Sequence, residues 1–166
     1  MAEPHTMNAV VKDSITQALL ILMENSPLSE ISVTSIVQKA GVGRVSFYRN
    51  FKSKQDVLEQ HLLNLIQEWG KEFESQGDPN YFSESLFNHY YKNKDFYLLL
   101  YNHELSRMIY ETIRQGTKIY ESQNSLERYG KSMIAGMLFG CIDEWMRQGM
   151  QETPEEMVTL WEQHNK

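Results

Sequence analysis

Apolar residues recur every three or four positions along most of the chain, and no stretch sustains an alternation of apolar and polar residues. The first spacing is typical of amphipathic helices, whereas the second would indicate half-buried strands. The pattern therefore predicts an all-α protein. The predicted helices span residues 8–25, 33–40, 44–51, 54–75, 81–92, 94–103, 104–121, 125–148 and 154–165.

The second and third predicted helices are short and are separated by a tight turn. Ser32 is a good N-cap because its hydroxyl can accept from the unpaired amides of the first turn. Gly41 can adopt the left-handed conformation that ends a helix. A helical wheel places Phe47 and Phe51 on one face of the third helix. Another face carries Arg44, Val45, Tyr48, Arg49 and Lys52. Such a basic face suits the major groove of DNA better than a protein core.

Charge is distributed unevenly along the chain. Residues 32–55 carry five basic side chains and no acidic one, although the whole chain has a formal net charge of −6. Residues 57–166 carry ten basic and seventeen acidic side chains. A segregated basic patch in an acidic protein is expected of a nucleic-acid-binding element. The alternative is a solvated helical hairpin that has no partner.

The run AGVGRVSFYRNFKSK, residues 40–54, resembles the helix-turn-helix signature of tetracycline-repressor-like (TetR family) transcriptional regulators, in outline A-G-V-S-x-x-T-x-Y-x-x-F-x-S-K. The resemblance covers about the first 55 residues. It implies an all-α homodimer whose N-terminal domain binds a palindromic double-stranded DNA operator and whose C-terminal domain binds a small-molecule effector, unknown here. It also implies base-edge or nearby contacts for Arg44, Val45, Ser46 and Arg49, a base or phosphate contact for Thr34, and phosphate contacts for Tyr48, Asn50 and Lys54. Gly43 stands where the family usually has serine.

The long predicted helix 54–75 and the turn that follows it organise the domains. We predict a helix-turn-helix DNA-binding domain at residues 1–55, with helix 8–25 packed behind the motif. A helical ligand-binding and dimerisation domain is predicted at residues 56–166. The long helix starts at the DNA-binding motif and is expected to connect the two domains.

Eight aromatic residues fall between positions 81 and 101. Aromatic side chains line apolar ligand pockets, with tyrosine hydroxyls as polar tips, but they also fill the cores of helical domains. Both interpretations stay open at this point. The candidate pocket residues are Trp69, Phe73, Phe87, Tyr90, Tyr101 and Met108.

The last two predicted helices have wide apolar faces. Gly136 and Gly140 lie one turn apart in the first of them, where small residues let another helix approach closely. The second opens with Thr153-Pro154-Glu155-Glu156, which predicts a capping box. Two such faces suit a dimeric four-helix interface, with packing inside one chain as the alternative. The candidate interface residues are Met133, Met137, Gly140, Trp145, Met157, Leu160 and Trp161. Residues 135–149 and 153–156 resemble the dimerisation end of a TetR branch that includes regulators related to control of dihydroxyacetone kinase.

Common enzyme and metal motifs are missing from the sequence. The five histidines lack H-E-x-x-H spacing, and the single cysteine, Cys141, is too few for a structural zinc site. We find no nucleophile elbow and no phosphate loop. The sequence therefore predicts a protein that is not an enzyme and holds no cofactor or metal. One cysteine, no signal peptide and no run of about 20 apolar residues predict a cytoplasmic protein without a membrane partner.

These features together predict a ligand-responsive, homodimeric, DNA-binding repressor that a small molecule releases from its operator. The alternative is a co-regulator that keeps the same fold but acts through a partner protein and binds DNA weakly or not at all. Two features leave this alternative open. Gly43 replaces the usual serine, and Lys12 is the only lysine or arginine before residue 32.

Overall fold

The computed structural model describes the backbone of residues 4–164 and the side chains of residues 8–163. This part of the chain is helical and contains no strand, which confirms the predicted all-α class. The helices are α1 (Pro4–Met23), α2 (Val33–Ala40), α3 (Arg44–Asn50), α4 (Lys54–Gln76), α5 (Phe82–Lys92), α6 (Lys94–Asn102), α7 (Ser106–Gly116), α8 (Ser125–Arg147) and α9 (Pro154–His164). Single turns of 3-10 helix lie at Pro79–Tyr81 and Ile119–Glu121.

Most predicted helix bounds lie within two residues of the observed ones, with two exceptions. α1 begins at Pro4, earlier than predicted. α7 spans Ser106–Gly116, whereas the sequence predicted one helix over residues 104–121. Glu104 and Lys118 have left-handed backbone, with φ of 59° and 52°, which interrupts the helix on both sides. Residues other than glycine rarely adopt this conformation, so the sequence carries no signal for either break.

The chain divides into two compact units, Met1–Asn64 and Leu65–Lys166. The division falls inside α4, which begins in the first unit and ends in the second. The predicted domain boundary after residue 55 lies nearer the start of the same helix and stays a prediction.

The core of the first unit explains which face of α3 points outward. α1 packs against α2 and α3, as predicted. Phe47 and Phe51 are buried in this core, with ring centroids 5.9 Å apart. The other fully buried side chains include Ile15, Leu19, Ile36, Val57 and Leu58. Because burial fixes the two phenylalanines on the inside, the opposite side of α3 is left to solvent.

Both ends of α2, including the turn that leads to α3, form as the sequence predicts. The Ser32 hydroxyl accepts a hydrogen bond from the Ser35 amide at 3.0 Å, and the Ser35 hydroxyl accepts one from the Ser32 amide at 3.1 Å. Gly41 ends α2 with φ of 67°, a left-handed conformation that a glycine adopts without steric penalty. α2 is therefore fixed by caps at both of its ends as well as by the core, whereas Gly43 gives the start of α3 no side-chain cap.

The second unit is built around α8. α6 and α7 pack against α8, and α5 packs against both α6 and α9. The largest buried side chains of this unit include Phe87, Tyr90, Tyr97, Leu100 and Trp145. α9 begins with the predicted capping box, in which the Thr153 amide donates to Glu156 Oε2 at 2.8 Å and the Glu156 amide donates to Thr153 Oγ1 at 3.3 Å.

Candidate nucleic-acid interface

Four side chains of α3 form one exposed surface, which we call the α3 face: Arg44, Val45, Tyr48 and Arg49. The exposed fractions of Val45 and Tyr48 are 75% and 52%, and both arginines are exposed. The four residues line one shallow concavity. The structure thus brings together on one surface four of the five residues that the helical wheel grouped. Lys52, the fifth, is exposed but follows the end of α3.

Arg44 and Tyr48 contact each other within the α3 face. The Arg44 guanidinium carbon lies 5.6 Å from the centroid of the Tyr48 ring, and one guanidinium nitrogen donates to the tyrosine hydroxyl at 3.4 Å. A guanidinium has five N–H donors in a fixed plane, so most of them are left to meet a base edge or a phosphate. The ring holds that plane in place by a cation–π interaction.

The other predicted DNA-binding residues differ in exposure and in hydrogen-bond partners. Thr34 is exposed on α2, and Ser46 is half-buried. The Asn50 side chain folds back on α3 and donates from Nδ2 to the Ser46 carbonyl at 2.8 Å. Lys54 points its ammonium at backbone carbonyls of the turn between α1 and α2. The phosphate contacts predicted for Asn50 and Lys54 stay predictions, but in this structure both side chains bond within the first unit.

Gln60 is a residue of the first unit that no sequence pattern singles out. Gln60, on α4, bonds to the last residue of α3, to Asp56 and to Lys12. A single polar residue on an amphipathic helix gives no sequence signal for such a role. Lys54 differs from Gln60 in this respect. The helix dipole disfavours a cation in the first turn of a helix, so the position of Lys54 predicts another partner for its ammonium group.

The candidate pocket residues of the second unit lie in different surroundings. Trp69 and Phe73 stack with centroids 6.0 Å apart, whereas Phe87 and Tyr90 are each 1% exposed and fill the core. Tyr101 donates its hydroxyl to the Asp143 carboxylate, and Met108 is half-buried. Phe87 and Tyr90 therefore belong to the core, and the ligand pocket stays a prediction.

A polar groove of about 250 Å³ lies beside the second half of α4 and α5, within the second unit. Of the six candidate pocket residues, Trp69 alone is among the described side chains that line this groove. Its indole N–H donates to the Ser85 hydroxyl at 2.8 Å. The groove is also lined by Glu68, Glu72, Asn88, His89 and Lys92.

His89 is a buried polar residue at the edge of this groove, 7% exposed. Its Nε2 lies 2.7 Å from the Tyr97 hydroxyl. Burial, and secondarily the charge of Lys92, lower the pKa of His89 to about 4. Burial also raises the pKa of Tyr97. The pair is therefore neutral in the folded protein at neutral pH.

The low pKa of His89 predicts a loss of stability in mild acid. In the unfolded chain the imidazole takes up a proton as the pH falls below about 6.5, whereas in the folded protein it does so only near pH 4. The free energy of unfolding should therefore fall by up to about 3 kcal/mol between these two pH values. Urea titrations at several pH values, followed by tryptophan fluorescence, measure this, because all three tryptophans lie in the second unit.

His89→Gln should flatten this pH dependence between pH 6.5 and 4, since glutamine does not titrate. His103→Gln is the matched control, because it removes another histidine of the same unit. A wild-type free energy of unfolding that stays constant over this pH range would contradict the buried neutral state of His89.

Six of the seven candidate interface residues divide into two groups, and the seventh, Trp161, is half-buried. Met133, Met137 and Leu160 are 75%, 48% and 45% exposed, and Gly140 is exposed. Trp145 and Met157 are buried in the core of their own chain, so little of their surface is left for a second copy. A groove of about 460 Å³ between α8 and α9 is lined by Met137, Trp145, Met157, Leu160 and Trp161, among others.

Comparison with known families gives two matches, one in each half of the chain. A family model described as bacterial regulatory proteins, tetR family, matches residues 15–60, and one described as transcriptional regulator C-terminal region matches residues 77–164. A search of curated proteins gives no match. No helix in the described part of the chain is long and apolar enough to cross a membrane.

The two matched regions account for both halves of the molecule. The first contains α2, α3 and the exposed α3 face, and the second contains α5 to α9 and covers more than half of the chain. A helix-turn-helix domain with a basic outer face followed by a larger helical domain is the architecture of a DNA-binding regulator. The chain belongs to the TetR family of bacterial transcriptional regulators.

Proposed function

We propose that the protein is a repressor that binds a palindromic operator as a homodimer and leaves it when a small molecule binds the second unit. The observation that carries this proposal is the α3 face. Arg44 and Arg49 are exposed in a stretch of 24 residues, 32–55, that contains no acidic side chain. Guanidinium groups on such a helix recognise guanine edges in the major groove, and phosphates beside it.

Selection of duplexes from a random DNA pool tests DNA binding and identifies the operator in the same experiment. We expect enrichment of an inverted repeat, because a two-fold dimer needs one half-site for each α3. The enriched sequence should occur upstream of a regulated gene, and deletion of the protein should raise expression of that gene. A pool that shows no enrichment at physiological salt, or expression that falls on deletion, would contradict the repressor proposal.

Release by an effector is supported by the course of α4. This helix starts directly after the α3 motif and ends in the second unit. A ligand shifts DNA binding only if it favours one arrangement of α3 over another, and a typical coupling of about 1 to 3 kcal/mol changes affinity by about 5- to 150-fold. Operator DNA must then weaken ligand binding by the same factor. A compound found by its quenching of tryptophan fluorescence tests this, since equal affinity with and without operator excludes coupling.

A second candidate function is that of a co-regulator that acts through a partner protein and binds DNA weakly. Two observations favour it. Gly43 offers no side-chain hydrogen bond to the start of α3. The side-chain donors of Asn50 and Lys54 bond inside the first unit and leave fewer donors for phosphates.

Gly43→Ser tests whether the missing cap weakens DNA binding. Gly43 has extended backbone, with φ of −79° and ψ of 152°, and a Cβ built there meets no atom within 4 Å. Serine should therefore fit and cap α3, raising the free energy of unfolding by about 0.5 to 1 kcal/mol and tightening DNA binding. Thermal unfolding and gel shifts measure the two effects.

Gly41→Ser is the control for this substitution. Gly41 has a φ of 67°, a conformation that is unfavourable for a residue with a side chain. The Gly41→Ser substitution should therefore lower the free energy of unfolding by about 1 to 2 kcal/mol. If Gly43→Ser stabilises the protein but leaves DNA affinity unchanged, the missing cap does not limit DNA binding.

A further inference from the structure

Lys54 uses its ammonium group inside the first unit. It is the first residue of α4, and its Nζ donates to the carbonyl oxygens of Ser29 at 3.1 Å, of Ile31 at 2.8 Å and of Leu28. These three carbonyls belong to the turn between α1 and α2. An ammonium has three N–H donors, so all of them are taken. None is then left for a DNA phosphate unless this arrangement is broken.

Gln60 makes a second connection, six residues further along α4. Its Nε2 donates to the carbonyl of Asn50, the last residue of α3, at 3.3 Å, and its Oε1 accepts from Lys12 Nζ at 3.1 Å. The last carbonyls of a helix have no partner within the helix, so this bond satisfies one of them. Gln60 therefore joins the end of α3 to α1 and α4.

Asp56 completes the connection between α3 and α4. Its carboxylate lies 3.2 Å from Gln60 Nε2 and accepts from the Lys52 backbone amide at 2.6 Å. The Asp56 amide in turn donates to the Ser53 hydroxyl at 3.1 Å. Backbone and side-chain bonds together thus fix the loop that leaves α3.

We propose that Lys54 and Gln60 form a two-point clamp that sets the orientation of α3, with neither side chain touching DNA. Lys54 holds the turn that precedes α2, and Gln60 holds the end of α3. Both are positioning residues that act through the α3 face. The inference rests on the proposed DNA-binding function of α3, but the clamp itself is a property of the free protein.

Lys54→Met and Lys52→Met separate a clamp from a phosphate contact. Lys52 lies two residues away and is exposed on the basic face, so Lys52→Met shows the effect of losing a lysine charge that the clamp does not hold. Lys54→Met should lower amide-exchange protection around the α1–α2 turn more than tenfold in the full-length free protein, since a hydrogen bond to a charged group is lost. The salt dependence of binding to random-sequence duplex DNA should stay the same. A phosphate contact would instead reduce the slope of log K against log salt by about 0.9 per subunit and leave exchange unchanged.

Gln60→Met tests the second point of the clamp, with Gln55→Met as its control. Gln55 is an exposed glutamine in the first turn of the same helix. If Gln60 orients α3, its loss should lower the ratio of specific to non-specific DNA affinity at least tenfold while the salt slope for random DNA stays constant. A merely structural role would weaken both kinds of binding alike. The specific duplex is the one enriched in the selection experiment.

Failure of the clamp and failure of the proposed function give different results. If the wild-type protein binds no DNA, the proposed function is wrong, and the clamp is judged on amide exchange of α3 alone. Gln60→Met should then lower α3 protection relative to Gln55→Met. The clamp is overturned if exchange is unchanged in both Lys54→Met and Gln60→Met, if Lys54→Met lowers the salt slope as a phosphate contact would, or if Gln60→Met keeps the specificity ratio.

Discussion

Replacing Arg44 and Arg49 together by alanine is expected to abolish specific operator binding. Each arginine that reads a base edge contributes about 1 to 3 kcal/mol, so the pair should account for about 2 to 6 kcal/mol at each half-site. Both side chains are exposed, and the core of the first unit is formed by the opposite side of α3. The substitutions should therefore leave the fold intact, which circular dichroism can verify. Gel-shift titrations of the double variant and both single variants measure the loss.

The control for charge is Arg107→Ala in the second unit, where the side chain is 88% exposed. It removes one positive charge without touching the α3 face and should leave operator affinity nearly unchanged. The single variants assign roles, since loss of a base contact relaxes preference at one operator position and loss of a phosphate contact does not. If the double variant keeps both affinity and sequence preference, the α3 face is not the recognition surface.

Local signals in the sequence predicted the first unit well. The Ser32 cap, the Gly41 helix end and the Phe47–Phe51 face are each decided by residues within one or two turns of one another. Helix caps and amphipathic faces are such short-range features, so a single sequence can show them. The capping box of Thr153 and Glu156 is another short-range feature of this kind, and the structure confirms it.

Features set by contacts between distant residues could not be predicted in this way. The Tyr101 hydroxyl bonds to Asp143, which lies 42 positions away, and the sequence shows no sign of this contact. Phe87 contacts Trp145 and Trp161, with centroids 5.7 Å and 6.2 Å away. Helical spacing groups aromatic residues on a face but does not say whether that face meets a cavity or another helix.

Lys54 shows a related limit of the signature itself. A lysine at this position of a TetR-like motif predicts a phosphate contact, and its charge agrees with that role. That contact stays a prediction, and in this structure the partners of the ammonium are carbonyls that precede Lys54 by 23 to 26 positions. Which of two acceptors an ammonium meets depends on where the α1–α2 turn lies in space. Neither a helical wheel nor a motif contains information about the distance between Lys54 and that turn.

Met137→Glu is expected to convert the proposed homodimer to monomers and to eliminate tight operator binding. Met137 is 48% exposed on α8 and lines the groove between α8 and α9 together with Leu160. A carboxylate there is solvated in the single chain, so the fold should tolerate it. In a two-fold interface it would be buried without a partner, and symmetry would bring in a second one. An unpaired buried charge destabilises an interface by several kcal/mol, enough to dissociate a dimer at micromolar concentration.

Sedimentation velocity at micromolar protein measures the first part of this prediction, and gel shifts on the selected operator measure the second. A monomer offers one α3 to a palindrome and loses the second half-site, so its affinity should fall by orders of magnitude. Val10→Glu, at a position 61% exposed in the first unit, is the control and should sediment as the wild type does. A wild-type protein that is already monomeric would refute the interface, as would a Met137→Glu variant that remains dimeric. In the second case the two-fold contact lies elsewhere, and the exposed side chains of Leu126, Tyr129 and Met133 at the start of α8 would be the next surface to charge.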